Sequence, residues 1–259
     1  MAAIRTGSAW LWETESCDVH WTRARMCRVM SVLPISQGSV AAVVAHPDDE
    51  TFGLGALLAS LASEGREVRV LCFTHGEAST IGANEGLAEI RRRELIDATA
   101  VLGVAEVTLL DLPDGHLDAV PDTELDACID RWLTIDAAMF VVFEPQGVTG
   151  HPDHKAVSRA AVRVADRRGL PVVEWGIDPL TASRLEAEHG LTFESIGDGP
   201  GVHDVRVDRT AQLAAIGHHA SQLDDDPVVC KVLALLGDRE RVRVRAPRDS
   251  PAGGTEGGS

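Results

Sequence analysis

Five short apolar runs, each linked to the next by a stretch with helical spacing, constrain this chain more than any other feature. They fall at residues 40–44, 68–73, 105–110, 137–143 and 172–177. Runs that are apolar at nearly every position, rather than at alternate ones, predict strands buried on both faces, as in a parallel sheet. Between them, Phe52, Leu54, Leu57, Leu58 and Leu61 recur at helical spacing, and Gly65 can close that helix. Residues 87–102 predict a second helix stopped by Gly103, Leu125 to Leu133 a third, and residues 153–168 a fourth ended by Gly169. This alternation predicts an α/β fold, a Rossmann-like and mostly parallel sheet with helices on both faces. From Pro179 the order loosens into extra C-terminal elements: strands at 191–195, 202–207 and 241–245, read as antiparallel additions, and helices at 210–222 and 228–236.

A chain of 259 residues can bury a full core, and residues 38–245 are read as a single domain. Residues 1–37 carry Trp10, Trp12 and Trp21 among charges, without an apolar stretch long enough for a signal peptide or membrane span, and are read as an N-terminal extension. Residues 246–259, rich in Gly, Pro and Ser, are read as a disordered tail. The formal charge of −16 argues against nucleic acid and anionic membranes as partners and leaves a small molecule. Cys17, Cys27, Cys72, Cys128 and Cys230 are odd in number and form no CxxC, the usage of a reduced, cytoplasmic protein. Oligomeric state is not legible.

The first apolar run ends in Ala45-His46-Pro47-Asp48-Asp49-Glu50, one imidazole and three carboxylates in five positions. Imidazole and carboxylate both suit a divalent metal, and His46 and Asp49, three residues apart in a turn that opens a helix, can converge on one point. A catalytic zinc needs a third protein ligand. The comparable cluster is His151-Pro152-Asp153-His154, which also follows an apolar run. Parallel sheets bind ligands beyond the carboxyl ends of their strands, where both clusters lie. A nucleotide-binding module would instead show a Gly-rich turn after the first strand, and the carboxylates present there would repel a pyrophosphate.

His46-Pro47-Asp48-Asp49-Glu50 and Gly150-His151-Pro152-Asp153-His154 together resemble the two signature motifs of the LmbE/PIG-L zinc-dependent N-deacetylases. Supporting matches are Thr74-His75-Gly76-Glu77, Arg91-Arg92-Arg93-Glu94, Pro113-Asp114-Gly115 and His219-Ala220-Ser221-Gln222, so the resemblance runs from about residue 39 to 222. It implies an LmbE-like fold and removal of an acetyl group from an N-acetylglucosamine conjugate. Carried over, it makes His46, Asp49 and His154 the ligands of Zn2+, with Fe2+ as the alternative ion for a His₂Asp set. Asp48 becomes the general base. A protonated His151 would stabilise the oxyanion, with Asp153 orienting it and keeping it charged. Arg91 and Asp114 would meet the sugar, Arg91 competing with a solvated-face reading and Asp114 with ordinary turn chemistry.

Other residues have ordinary explanations. His75, His116, His203 and His218 read as hydrogen-bonded turn residues, and Glu50 as a first-turn carboxylate favoured by the helix dipole. Two departures from the family pattern stand out. The chain has no tyrosine to support an oxyanion, and it carries Gln212 where many relatives are expected to have lysine. Other readings are an amidase of the same fold acting on another conjugate, or a non-catalytic sugar-binding relative. Substrate identity is not written in the loops.

Overall fold

The computed structural model describes residues 2–6, 9–13, 38–133, 136–225 and 227–247. The five expected strands are β3 (Ser39–Val44), β4 (Val68–Cys72), β5 (Glu106–Leu109), β6 (Ala137–Phe143) and β7 (Val172–Gly176). They follow β1 (Ala2–Thr6) and β2 (Ala9–Glu13), an antiparallel ribbon within the segment read as an extension. Strands β3 to β7 pair in parallel in the order β5-β4-β3-β6-β7. β8 (Val202–Arg206) and β9 (Arg239–Arg245) extend the sheet in antiparallel fashion, β9 on β7 and β8 on β9. Expectations for residues 14–37 and for the tail from 248 onward lie outside the described residues.

One expected strand, 191–195, is absent. β9 occupies the edge of β7 that such a strand would need, and the segment keeps a single bridge, Ile177 to Ser195. The helices are α1 (Asp49–Phe52), α2 (Gly55–Ser63), α3 (Leu87–Leu102), α4 (Asp122–Trp132), α5 (Pro152–Arg168), α6 (Pro179–His189), α7 (Thr210–Ile216) and α8 (Val228–Leu236). The first expected helix is thus two, α1 and α2, broken at Gly53. There the backbone presses so close to Phe143 that a Cβ would lie 2.4 Å from its ring. The helix expected at 210–222 ends at Ile216 and resumes as a short turn at Ala220–Gln222. Sequence periodicity missed α6, although its start signal is present: Asp178 caps it, accepting the Leu180 and Thr181 N–H groups, and Pro179 fills the first turn.

The centre of the sheet is buried on both faces. Val40, Ala42 and Val44 of β3 pack with Leu54, Leu57, Leu58 and Leu61 on one side. Ala41, Val43 and Ala45 pack with Ile129 of α4 and with Val157, Ala160, Ala161 and Val164 of α5 on the other. This sandwich fixes where β3 ends, and with it the turn at His46.

The antiparallel addition is tied to the same turn by buried polar groups. Glu240 of β9 is fully buried, accepts the Trp175 indole N–H at 2.7 Å and pairs with Arg209. Arg209 also donates to Gln212 Oε1, and Gln212 Nε2 donates to Thr51 O of α1 at 2.9 Å. This explains the Gln212 departure, because its amide both accepts from Arg209 and donates to α1, and a lysine could do only the second. Burial pushes the Glu240 pKa up, against the pull of Arg209. Arg209→Met, which strands that carboxylate, is expected to cost about 3–5 kcal/mol of stability by urea denaturation. Adding Glu240→Gln to it should recover part of the loss.

Candidate active site

From β3 the chain moves to β4 and β5 on one side, then returns to β6 on the other. The carboxyl ends of β3 and β6 therefore sit at the topological switch point, where open α/β sheets bind ligands. His46 follows β3, and residues 151–154 cap and open α5 after β6, so two clusters about a hundred residues apart meet.

Three donor groups converge there. His46 Nδ1 lies 3.2 Å from His154 Nε2, His154 Nε2 3.1 Å from Asp49 Oδ1, and His46 Nδ1 3.6 Å from Asp49 Oδ2. Ligand bonds to tetrahedral zinc near 2.1 Å would set donor atoms roughly 3.4 Å apart, close to the His46–His154 and His154–Asp49 separations, while Asp49 Oδ2 accepts the Ala45 and His46 N–H groups at 3.1 and 2.9 Å and leaves Oδ1 as the inner oxygen. The outer nitrogens fix the tautomers. His154 Nδ1 is 3.0 Å from Gly147 O, which can only accept, so the proton sits on Nδ1 and the Nε2 lone pair faces inward. His46 Nε2 faces Asp114 Oδ1 at 3.1 Å and Asp153 Oδ2 at 3.2 Å, which leaves Nδ1 as the inward lone pair.

A second grouping, His46 with Asp114 and Asp153, also brings donors within 4.8 Å. Its carboxylates are already engaged: Asp114 Oδ2 accepts the Ala78 N–H at 2.8 Å, and Asp153 accepts those of Gly115 and Leu117 at 2.7 and 2.9 Å. They read as the outer partners of His46. His151 completes a third grouping, with His46 and His154.

Charge sets the protonation of the inner set. Burial pushes Asp49 up, but the charge and hydrogen bond of His154, then His46, hold it well below the usual carboxylate range. For His46, burial opposes protonation, yet Asp114, Asp153, Asp49 and Asp48 together raise its pKa to about 10.

Beside these donors stands Asp48, whose φ of 137° lies in a region that side chains rarely adopt. Such strain costs about 1–3 kcal/mol and persists only where the surroundings over-determine it. Here the Asp48 N–H donates to Glu50 Oε2 at 2.9 Å, and its Oδ2 accepts from Arg91 Nη2 at 2.9 Å. Arg91 also donates to Pro47 O and, at 2.7 Å, to Gly76 O. A Cβ at Gly76 would lie 2.1 Å from Arg91 Nη1, and its φ is +67°, so only glycine fits. Burial raises the Asp48 pKa to about 6, with Arg91 opposing and Asp49 adding.

Residues 41–165 match the family model described as "PIG-L: GlcNAc-PI de-N-acetylase". The probable N-acetyl-alpha-D-glucosaminyl L-malate deacetylase 2 of Bacillus cereus is 30% identical over 197 residues, covering 71% of this chain and 84% of that one. The chain belongs to the PIG-L (LmbE) family. The 1D-myo-inositol 2-acetamido-2-deoxy-alpha-D-glucopyranoside deacetylase of Rhodococcus opacus is 29% identical, covering 74% of this chain and 84% of that one. Among solved structures, the A40926 pseudoaglycone deacetylase Dbv21 superposes with a TM-score of 0.61 at 23% identity, over 83% of this chain and 100% of that one, and shares the fold.

Within the PIG-L pattern three residues stand otherwise than expected: Asp153, His151 and Arg91. The Asp153 carboxylate goes to His46 and to the Gly115 and Leu117 amides, not to the His151 ring. His151 instead caps α5, its Nδ1 accepting the Asp153 N–H at 3.2 Å. That bond needs a lone pair on Nδ1, so the ring is a neutral Nε2–H donor rather than an imidazolium. Burial, then the neighbouring His46 and His154, lower its pKa in agreement. Arg91 is buried with its fork committed to Asp48, Pro47 and Gly76, while Arg92 and Arg93 pair with Glu89 at the surface. Sequence reasoning undervalued Glu50, which is fully buried and holds the Asp48 backbone. An ordinary first-turn carboxylate has the same sequence signature.

Ligation through His46 Nδ1 would make metal binding compete with protons. With a metal-free pKa of about 10, His46 is protonated at pH 7 and must release that proton. Zinc affinity is therefore expected to rise between pH 6 and 8, with protons released on binding in calorimetry across buffers of differing ionisation enthalpy. Binding without proton release would remove His46 from the donor set.

Proposed function

We propose that this chain is a zinc-dependent N-deacetylase, ferrous iron being the alternative ion, that hydrolyses the acetamide of an N-acetylglucosamine-type conjugate to acetate and a free amine. The observation that carries this reading is the convergence of His46 Nδ1, Asp49 and His154 Nε2 beside the partly exposed carboxylate of Asp48. His46, Asp49 and His154 would hold the ion, which when bound supplies Lewis acidity to a water and to the amide carbonyl.

The remaining work falls to side chains. Asp48, with a pKa of about 6, is ionised at pH 7 yet basic enough to take the proton of the attacking water. Arg91 aims it. The same proton is then available to the leaving amine. His151, neutral and presenting Nε2–H, donates to the carbonyl oxygen as that oxygen gains charge, a role for which the chain has no tyrosine. Asp153 and Asp114 hold His46 in its tautomer. Asp114, which also pairs with His46 Nε2, is the residue proposed to meet a sugar hydroxyl.

The family relatives, named for deacetylation of glucosamine conjugates, support a small-molecule substrate. No helix among the described residues is long and apolar enough to cross a membrane. A cytoplasmic setting rests on the cysteine pattern.

The test is acetate release from N-acetylglucosaminyl inositol, N-acetylglucosaminyl malate and free N-acetylglucosamine by zinc-loaded and chelated protein. Metal-dependent release from one of them is expected, and none from all three would contradict the reading. Asp48→Asn should keep zinc and lose about 10²–10⁴-fold in kcat. Because ionised Asp48 is the active form, kcat/KM should fall as pH drops below about 6. Loss of zinc in Asp48→Asn would move Asp48 into the ligand set.

A further inference from the structure

The contacts that hold Asp48 do not end at Glu50 and Arg91; they close into a ring through a turn far away in sequence. Glu50 Oε1 accepts from Thr51 Oγ1 at 2.6 Å and faces His219 Nε2 at 2.9 Å. Glu50 and His219 are both fully buried, and His219 Nδ1 has no partner among the described residues, so the Glu50–Thr51 edge is the ring's polar anchor. His219 leads into the turn at Ala220–Gln222. Two residues on, Ser221 donates its N–H and Oγ–H to the two oxygens of Glu94, at 2.8 and 2.6 Å. Glu94 lies three residues after Arg91 on α3, hence on the same face, and Arg91 returns to Asp48 Oδ2. Asp48, Glu50, His219, Ser221, Glu94 and Arg91 thus form one circuit.

The same turn also grips the loop between β4 and α3. Ser79 Oγ donates to Gln222 Oε1 at 2.8 Å, and Gln222 Nε2 donates to Ile81 O at 3.3 Å. Gly82, with φ +66°, passes so close to Ser221 O that a Cβ would lie 2.3 Å from it. The start of this loop is bound to the site wall, since the Ala78 N–H donates to Asp114 and Glu77 accepts the Asp114 N–H.

We propose that residues 219–222 form a positioning element with two outputs: His219, through Glu50, fixes the strained backbone of Asp48, and Gln222 fixes the loop at 77–85 that walls the substrate side. The turn touches none of the three inner donor atoms, so its action on the site is through geometry. Its effect on turnover rests on the deacetylase reading; its effect on structure does not.

The experiment compares zinc-loaded wild type with His219→Leu, His219→Gln, Glu94→Gln and Gln222→Ala, reading amide hydrogen exchange, zinc affinity, kcat and KM. In His219→Leu the Asp48 amide is expected to exchange at least ~10-fold faster, and kcat to fall by about 10²-fold with KM and zinc affinity within about threefold. His219→Gln, which keeps an N–H donor, should restore both kcat and Asp48 protection. Glu94→Gln loosens the circuit without stranding a buried charge and should move the same two readouts in the same direction. It keeps the test open where His219→Leu fails to fold. Gln222→Ala should raise KM more than it lowers kcat and speed exchange across 77–85, with the Asp48 amide still protected. An Asp48 amide that stays protected in both His219→Leu and Glu94→Gln would overturn the proposal, as would a loss of kcat that His219→Gln leaves unrepaired. A wild type without turnover on any conjugate would sink the deacetylase reading, while the exchange measurements would still decide the positioning role.

Discussion

Too many carboxylates share one small volume at the ends of β3 and β6, and the neighbouring structure is organised around neutralising them. Asp49, Glu50, Asp114 and Asp153 are buried, and Asp48 is nearly so. Left alone they would repel one another and take up protons. Each has instead a cationic or N–H partner: Arg91 for Asp48, His219 for Glu50, and His46 with backbone amides for Asp114 and Asp153. The inner edge, where Asp49 meets His46 and His154, is the place where a divalent cation would fit. The division of labour follows from environment. Hydrogen bonds and charge keep Asp49 low and suited to ligation, while burial lifts Asp48 to about 6 and suits it to proton transfer.

The scaffold delivers this concentration of charge through topology. A parallel sheet that changes direction between β3 and β6 opens a crevice at their carboxyl ends, and α5 starts there, capped by His151 and opened by Pro152. Helix α1 is only one turn long, too short to hold its own geometry. It is fixed from outside, by Gln212 on Thr51 O and by His219 on Glu50 and Thr51. The antiparallel addition β8–β9 thereby acts at a distance, since Glu240 and Arg209 anchor Gln212.

Much of this was legible in the sequence, for reasons that also mark the limit. Strands β3 and β6 are buried on both faces and so read as continuous apolar runs, and their terminal His/Asp clusters had no structural reason to be there. Residues 191–195 read as a strand because local pattern cannot show that β9 already occupies the available edge. α6 gives little periodic signal although Asp178-Pro179 is a sound helix start, because only Thr181 and Leu185 of the helix are buried. Arg91, in a run of three arginines, could not be told from its neighbours; burial against Gly76 separates it. Proximity in sequence pairs Asp153 with His151, two residues before it, whereas the fold turns its carboxylate to His46. Contacts between distant loops, above all those of His219, are where single-sequence reasoning gives out.

The inner nitrogens of His46 and His154, from the two strand-end clusters, are proposed to share one metal site. An anomalous-diffraction crystal structure of the zinc-loaded protein tests it most directly. The account predicts a single ion bonded to His46 Nδ1, Asp49 and His154 Nε2, with Asp114 and Asp153 still on His46 Nε2. An ion on the other side of that ring, held by His46 Nε2, Asp114 and Asp153, would contradict it.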